Sequence, residues 1–286
     1  MSDYSFAATS KTFAAETGTI HYHEAGAGDD LLMIHGSGPG VTGWANFEGN
    51  LPVFAEHFRC VVIDLPGYGK SDAVEGDPIG SCINACLALM NGLGMERTHI
   101  IGNSLGGIVG SQIAANASER VRRFVSIGGI GMNIFSPFPG EGLNLLTEFT
   151  EDPTRERLVQ WLRSMVFDQS LVTEELIETR FRQATEPVTM ATSRKLYSRE
   201  SIAATAEMFR GENTHLRIAH LSSIKVPTLL TWGRDDRVTP LDLALLPMRL
   251  IPNAELHVFP NCGHWNMIER KAEFESLVKA FLLRED

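Results

Sequence analysis

The residues most able to do chemistry are a serine and the two glycines around it. Gly102, Asn103, Ser104, Leu105 and Gly106 form a Gly-x-Ser-x-Gly motif, where an apolar run typical of a strand gives way to a pattern typical of a helix. In such a turn the glycines let strand and helix approach closely, and the serine hydroxyl is exposed from a strained backbone. A turn of small residues without a catalytic role is the alternative. The flanking strand and helix favour Ser104 as a nucleophile.

A serine nucleophile needs a base and an acid that orients the base, because the hydroxyl is weakly nucleophilic near neutral pH. His264 follows Gly263 in a loop after the last predicted strand, and Asp235 and Asp236 follow the strand predicted before it. Serine, aspartate and histidine in this order, each after a strand, is the chain order of the α/β-hydrolase triad. Only one of the two adjacent aspartates can face the imidazole, and their spacing leaves both open.

Acyl transfer also needs donors for the developing oxyanion, and one donor contributes roughly 3–4 kcal/mol. The glycine-rich segment 35–40 directly follows a predicted strand, so its backbone N–H groups can face the serine. We assign the oxyanion hole to the amides of Ser37 and Leu105. A phosphate cradle is the alternative, but the segment lacks the Lys-Ser/Thr ending of a P-loop and a complete Gly-x-Gly-x-x-Gly spacing.

The cysteines predict neither a metal site nor a disulfide framework. Cys82 and Cys86 have helical spacing and Cys262 precedes His264 closely, but neighbouring residues do not complete a four-ligand zinc set. Four cysteines scattered over 286 residues are typical of a reducing compartment. We therefore expect ordinary buried thiols and no metal.

Short apolar runs alternate with helical patterns along the chain. The runs mostly lack polar alternation, as expected of strands buried on both faces of a parallel sheet. A turn at Thr17-Gly18 predicts an antiparallel hairpin that leads into this sheet. The predicted fold class is therefore α/β, with a mostly parallel eight-stranded sheet. The predicted strands are 12–15, 19–24, 31–34, 60–63, 99–101, 124–127, 228–232 and 256–259, and the helices between them are 84–93, 105–116, 241–250 and 273–282.

One long interval breaks this alternation. About a hundred residues separate the strand that ends at 127 from the strand that begins at 228, whereas ordinary connections in α/β units span about 2–6 residues. The interval contains helical patterns near 143–149, 155–165, 174–184 and 200–209. We predict an inserted helical cap at 134–211, between a first core part at 1–133 and a second at 212–286.

Charge and hydropathy argue against several classes of function. The chain has 25 basic and 35 acidic residues and a net charge of −10, whereas nucleic-acid binding requires a basic surface. The most apolar stretch, 100–115, is interrupted by polar side chains and falls short of a membrane span. The first residues lack the basic and apolar regions of a secretory signal. We expect a cytoplasmic protein without nucleic-acid or membrane partners.

Almost the whole chain resembles the meta-cleavage product hydrolases, serine-triad α/β hydrolases that cleave a carbon–carbon bond in ring-opened products of aromatic catabolism. A general esterase would share the serine motif but would have no reason to combine Gly-Ser-Gly-Pro-Gly, an asparagine before the nucleophile and a tryptophan after the histidine. The segments that carry the resemblance are 35–40, 44–46, 69–73, 102–104, 168–170, 174–176, 232–237 and 262–265.

The resemblance implies roles for individual residues. The family's acid is the aspartate directly before the arginine in Gly-Arg-Asp-Asp-Arg, which is Asp236 here. Arg180 matches the cap arginine of the family, although the sequence alone would place it on the surface of an amphipathic helix. A local, desolvated cation could capture an anionic substrate despite the negative charge of the protein. The substrate-binding residues would be Ser37, Gly38, Asn46, Asn103, Ser170, Arg180 and Trp265.

The resemblance also implies the reaction. The substrate would be a small anionic 2-hydroxy-6-oxo-hexa-2,4-dienoate, which is ketonised and then cleaved with water, and no cofactor is required. A carboxylesterase or amide hydrolase on the same fold is the alternative, and a non-catalytic binding module is disfavoured by the intact Ser, Asp, His set. The family suggests a homo-oligomer. The group on the cleaved ketone, alkyl or aryl, would contact cap residues such as Ile134, Phe135, Phe138 and Leu146.

Overall fold

The computed structural model describes residues 3–211 and 216–285. An eight-stranded sheet forms the centre of this structure. The strand order is β1-β2-β4-β3-β5-β6-β7-β8. The hairpin β1–β2 is antiparallel, as predicted, and β2 pairs antiparallel with β4, whereas β4, β3 and β5 to β8 are parallel. The strands are β1 Ser10–Ala15, β2 Gly18–Ala25, β3 Asp29–Ile34, β4 Phe58–Ile63, β5 Thr98–Asn103, β6 Val121–Ile127, β7 Thr228–Gly233 and β8 Ala254–Phe259. The predicted α/β class and mostly parallel sheet are confirmed.

The parallel strands are buried on both faces, which explains why their sequences lack polar alternation. In β3, Leu31 and Met33 join the core on one side of the sheet, and Leu32 and Ile34 join the core on the other. All four side chains are fully buried. Edge strand β8 differs, since its side chains from Ala254 to Val258 alternate between half-buried and exposed.

Helices cover both faces of the sheet. Two of the elements predicted near the strands differ from expectation. The helix expected at 84–93 begins at Pro78, because the Asp77 side chain accepts from the amides of Ile79 and Gly80 and caps it. The segment 241–250 is a 3-10 turn, Leu241–Ala244, followed by a short α-helix. The α-helices are α1 Phe6–Thr9, α2 Gly43–Phe47, α3 Leu51–Ala55, α4 Pro78–Gly92, α5 Leu105–Asn116, α6 Glu141–Glu151, α7 Arg155–Met165, α8 Glu174–Ala184, α9 Pro187–Tyr197, α10 Arg199–Arg210, α11 Leu216–Ala219, α12 Leu245–Leu250, α13 Asn266–Glu269 and α14 Lys271–Leu282.

Helices α6 to α10 fill the interval between β6 and β7 and pack against one another. Their buried side chains, among them Leu146, Phe149, Leu158 and Trp161, join the core on the Leu31 face of the sheet. Helix α9 was not expected from the sequence. The predicted boundary between the cap and the second core part falls at 211/212, and residues 212–215, like 1–2 and 286, lie outside the described residues.

No helix within the described residues combines the length and apolarity that a membrane span requires. The four cysteines are buried and free. Burial raises the pKa of the Cys82 thiol to about 12, so this thiol stays protonated and unreactive near neutral pH.

Candidate active site

Ser104 stands in the turn between β5 and α5. Its backbone is strained, with φ 51° and ψ −113°, and its amide donates to the Ile127 carbonyl at 2.8 Å. A Cβ at Gly106 would lie 2.1 Å from the carbonyl oxygen of Ile34, and one at Gly102 would lie 2.2 Å from that of Gly106. Only glycine fits at these two positions, so the sequence motif and the sharp turn have the same physical cause.

The structure brings Asp236, rather than Asp235, to His264. The imidazole Nδ1 of His264 donates to Oδ2 of Asp236 at 2.7 Å, and both side chains are almost fully buried. Asp235 turns outward, where it pairs with Arg234 at 3.3 Å with about a third of its side chain exposed, 32%. One aspartate of the adjacent pair therefore faces the imidazole, as the geometry of a loop requires.

Asp236 is held in place by further donors. Its Oδ1 accepts from the amides of Val238 and Thr239 at 2.8 and 2.9 Å. The Thr239 hydroxyl lies 2.9 Å from Asp236 Oδ2 and 2.9 Å from the Gly128 carbonyl oxygen. These contacts fix the carboxylate so that it can orient the imidazole and stabilise it when protonated.

The loop of His264 is fixed from two sides. The His264 amide donates to the Met165 carbonyl at 2.7 Å, and the Gly263 amide donates to Glu269 Oε1 at 2.7 Å. The other carboxylate oxygen of Glu269 accepts from the amides of Phe167 and Asp168. Glu269 therefore ties the histidine loop to the segment after α7.

Ser104 and His264 line the same cavity, but within the described chain no hydrogen bond joins the serine hydroxyl to the imidazole. Catalytic hydrogen bonds are often long before substrate binds and shorten in the complex. The serine, histidine and aspartate are thus assembled as a set, with the serine hydroxyl facing the cavity.

The two amides assigned to the oxyanion hole belong to residues that line this cavity, Ser37 and Leu105. Neither N–H donates to any protein atom in the described parts of the chain. Leu105 opens α5, where the first amides have no intrahelical acceptor. Two free amides beside a serine are the arrangement that stabilises an oxyanion.

The loop that carries Ser37 is held by buried side chains. Burial lowers the pKa of His35, so its imidazole is neutral, and Nε2 accepts from the Leu65 amide at 2.9 Å. The Tyr68 hydroxyl donates to the Ser37 carbonyl at 3.1 Å. From the cap, the Tyr197 hydroxyl forms a short hydrogen bond with the Ser37 hydroxyl.

The cavity lies between the sheet and the cap and has a volume of about 280 Å³. Asn46, Asn103 and Trp161 contribute polar groups to its wall. The Oδ1 of Asn46 accepts from the Gly36 amide at 3.1 Å, which leaves its buried Nδ2 without an acceptor, and Nε1 of Trp161 is likewise buried and unpartnered. Each of these two cavity-lining residues therefore has one buried donor without a protein acceptor.

Arg180 supplies a third such donor and a positive charge. It lies on α8, is 4% exposed and stacks over Trp265 at 5.7 Å. Its Nη1 has no hydrogen-bond partner, and no carboxylate of the described residues pairs with it. Burial lowers its pKa to about 10, so it remains protonated at neutral pH. A buried, unpaired cation is costly unless an anion binds to it.

Most of the predicted binding residues meet in this cavity: Ser37, Gly38, Asn46, Asn103, Arg180 and Trp265 all line it. Ser170 does not. It is exposed in a 3-10 turn, where its hydroxyl and amide both bond to Asp168 Oδ1 at 2.6 and 3.0 Å. The expectation for Ser170 is corrected, because its hydrogen-bonding capacity is used in a surface turn.

The apolar wall also differs in part from expectation. Phe138 and Leu146 line the cavity, whereas Ile134 and Phe135 are exposed and lie outside it.

Sequence reasoning missed four residues of the site: Trp161, Tyr197, Thr239 and Glu269. The available signal for Thr239 was its place three residues after an aspartate at a strand end, whereas Trp161 and Tyr197 reach the site only through the packing of the cap. No cluster of metal-ligating side chains occurs in the residues that the structure covers.

Comparison with known proteins identifies relatives of this chain. Residues 30–271 match the family model for the alpha/beta hydrolase fold. A 2-hydroxy-6-oxononadienedioate/2-hydroxy-6-oxononatrienedioate hydrolase of Burkholderia vietnamiensis is 39% identical, over 97% of this chain and 96% of the relative. A 2-hydroxy-6-oxo-6-phenylhexa-2,4-dienoate hydrolase of Burkholderia cepacia is 37% identical, over 92% and 91%. Among solved structures, a meta-cleavage product hydrolase of Pseudomonas fluorescens IP01 superposes with a TM-score of 0.81 at 31% identity, covering 96% of this chain and 97% of that chain.

Proposed function

The chain belongs to the meta-cleavage product hydrolases of the α/β-hydrolase fold, and from this premise we propose how its residues cleave a 2-hydroxy-6-oxo-hexa-2,4-dienoate-type substrate. Ser104 is the nucleophile, His264 the base and Asp236 the acid that orients it. The amides of Ser37 and Leu105 form the oxyanion hole. Gly38, Asn46, Asn103, Arg180 and Trp265 bind the substrate. The observation that carries the proposal is the unpaired, buried Arg180 in the cavity that also holds Ser104.

The first stage is ketonisation of the substrate. The 2-hydroxyl of the substrate loses its proton to give the dienolate, and a proton is then added at the carbon next to the distal ketone, which leaves a 2-oxo compound. Arg180, with the free donors of Asn46 and Trp161, holds the carboxylate and the 2-oxo group, because charge-assisted hydrogen bonds to a carboxylate are the strongest available there. A general ester site has no need of these donors.

The second stage is cleavage of the carbon–carbon bond. His264 takes the Ser104 proton as the hydroxyl attacks the distal ketone, and the resulting oxyanion accepts from the amides of Ser37 and Leu105. When the bond breaks, its electron pair passes into the 2-oxo end, which leaves as a 2-hydroxypenta-2,4-dienoate after protonation. Water, activated by His264, then hydrolyses the acyl-serine to a carboxylic acid.

Replacement of Arg180 tests this function against that of an esterase. Ester hydrolysis needs the triad and oxyanion hole, whereas ketonisation also needs a cation at the carboxylate end. In Arg180→Gln we expect kcat/KM for a dienoate to fall tenfold or more, about 1.4 kcal/mol, and hydrolysis of a small neutral nitrophenyl ester to change little. Spectrophotometric assays of both substrates measure the two effects.

Ser104→Ala is the control, since it should abolish both activities through loss of the nucleophile. If both activities fell together in Arg180→Gln, the arginine would support the cap structurally. If neither changed, Arg180 would not bind the substrate, and the assignment of its guanidinium to the dienoate carboxylate would be wrong.

We also propose that the protein acts in the cytoplasm as a homo-oligomer. Four free, buried cysteines without a disulfide framework support a reducing compartment, and the family resemblance supports assembly. Light scattering after size exclusion measures the assembly directly, and a single monomer mass at micromolar concentration would refute it.

A further inference from the structure

Charged side chains are rare in the wall of the active-site cavity. Among the described residues that line it, Arg180 is the one with a permanent charge, and no aspartate, glutamate or lysine joins it. The carboxylate of Asp236 lies behind His264, to which it is bonded. The site therefore offers one permanent cation to an anionic substrate.

The remainder of the cavity wall is mainly apolar. Helix α6 contributes Leu143 and Leu146, and α10 contributes Ile202 and Phe209. The Phe209 ring packs edge to face against Phe138, with centroids 4.6 Å apart and an interplanar angle of 77°. An uncharged acyl group is stabilised against such a wall by about 25 cal/mol per Å² of apolar surface removed from water. A carboxylate in the same place would lose its hydration without gaining a cation.

The two substrate classes in the names of the relatives differ in their number of carboxylates. A 6-phenyl dienoate has one carboxylate, whereas a nonadienedioate has a carboxylate at each end. The conjugated part, from the first carboxylate to the ketone, is planar and extended and holds the carboxyethyl group of the dioate far from that carboxylate, so Arg180 can bind one carboxylate but not both. Neutral side chains such as Thr205, whose hydroxyl donates to the Ser201 carbonyl at 2.9 Å, do not replace a cation.

We propose that this chain hydrolyses dienoates whose group on the cleaved ketone is uncharged and apolar, and that it discriminates against dioates, although a relative 39% identical to it is named for a dioate. This inference rests on the proposed function, since it assigns Arg180 to the carboxylate at the dienoate end. The deciding element is the absence of a second cation among the described residues of the cavity wall.

The test compares three chromophoric ring-cleavage products, with 6-phenyl, 6-isopropyl and carboxyethyl groups on the ketone, the last being the nonadienedioate. We expect kcat/KM for the better of the two apolar substrates to exceed that for the dioate by a factor of 100 or more. Equal or better turnover of the dioate would overturn this inference and leave the proposed function intact. Turnover of none of the three, with ester hydrolysis retained, would overturn the proposed function itself.

A charge introduced into the apolar wall gives a second measurement. Thr205 lines the cavity from α10, so Thr205→Lys adds a cation there, and Thr205→Met is the matched neutral control of similar length. The ratio of dioate to phenyl turnover should rise at least tenfold in the lysine variant and should not rise in the methionine variant. If the lysine variant folds but has the same ratio of dioate to phenyl turnover as the methionine variant, a missing cation does not set the preference for apolar substrates.

Discussion

At the scale of single residues, two adjacent aspartates have different surroundings, so their replacement should have different effects on kcat. Asp236 accepts from His264 and from the backbone amides of Val238 and Thr239, whereas Asp235 is partly exposed and pairs with Arg234. Asp236→Asn keeps the shape of the side chain but can present an N–H to the imidazole, which favours the wrong tautomer. We expect kcat to fall by a factor on the order of 10⁴.

The matched control is Asp235→Asn, whose partly exposed side chain should change kcat far less. Both variants should be assayed with a dienoate, and their folding compared by circular dichroism. A greater loss in Asp235→Asn than in Asp236→Asn would contradict the assignment of the acid.

The roles of the site residues could be predicted from the sequence where a local sequence pattern fixes the position of the residue. Ser104 directly follows β5 and His264 lies in the short loop after β8, so their placement depends on a few neighbouring residues and on the rule that parallel strands end at one edge of the sheet. Arg180 was singled out only through the family resemblance, because its burial depends on the packing of α8 against the core. Ser170 was misplaced for a related reason, since its bonds to Asp168 in a surface turn leave no signal in the spacing.

At the scale of elements, the strands and the longer helices other than α9 could be predicted, whereas α9 and the helices of four or five residues could not. Its sequence opens with a proline and contains two threonines and two serines when its C-cap is included, and it has no strong apolar stripe. Burial of Met190 against the rest of the cap stabilises a helix that its own sequence favours weakly. This helix is important for the site because it carries Leu196 and Tyr197 to the cavity.

Tyr197 connects the cap to the oxyanion loop, since its hydroxyl bonds to that of Ser37. Tyr197→Phe removes this hydrogen bond while keeping the ring, and a typical hydrogen bond contributes about 1 kcal/mol. We expect kcat to fall about fivefold for both the dienoate and the ester, because both reactions use the Ser37 amide. KM should change less, since no substrate contact is assigned to this hydroxyl.

The control is Tyr22→Phe, which removes a hydroxyl from β2, where Tyr22 is buried outside the cavity. This variant should retain the kcat of the parent protein. An unchanged kcat in Tyr197→Phe would show that the cap does not hold the oxyanion loop through this bond.

At the scale of the whole molecule, the same burial that builds the sheet makes its stability depend on pH. Burial lowers the pKa of His99 in β5 to about 4 and, helped by the neighbouring His21, that of His23 in β2 to about 4. The Nδ1 of His99 and Nε2 of His23 are buried without a hydrogen-bond partner. The pKa of histidine in an unfolded chain is about 6.5. Between pH about 6.5 and about 4 the unfolded chain therefore binds more protons than the folded protein, and the free energy of unfolding falls as the pH falls.

Each of these histidines should reduce the free energy of unfolding by about 2 kcal/mol between pH 7.5 and pH 5. His99→Leu replaces a buried imidazole by an apolar side chain that binds no proton. The free energy of unfolding of this variant, measured with urea, should therefore fall by about 2 kcal/mol less than that of the parent over the same interval. The control is His57→Leu, which replaces a histidine that the fold leaves exposed and tests whether loss of any histidine alters the slope. If the His99 variant lost as much stability as the parent between pH 7.5 and pH 5, the buried imidazole would not be the group that couples folding to protons in this range.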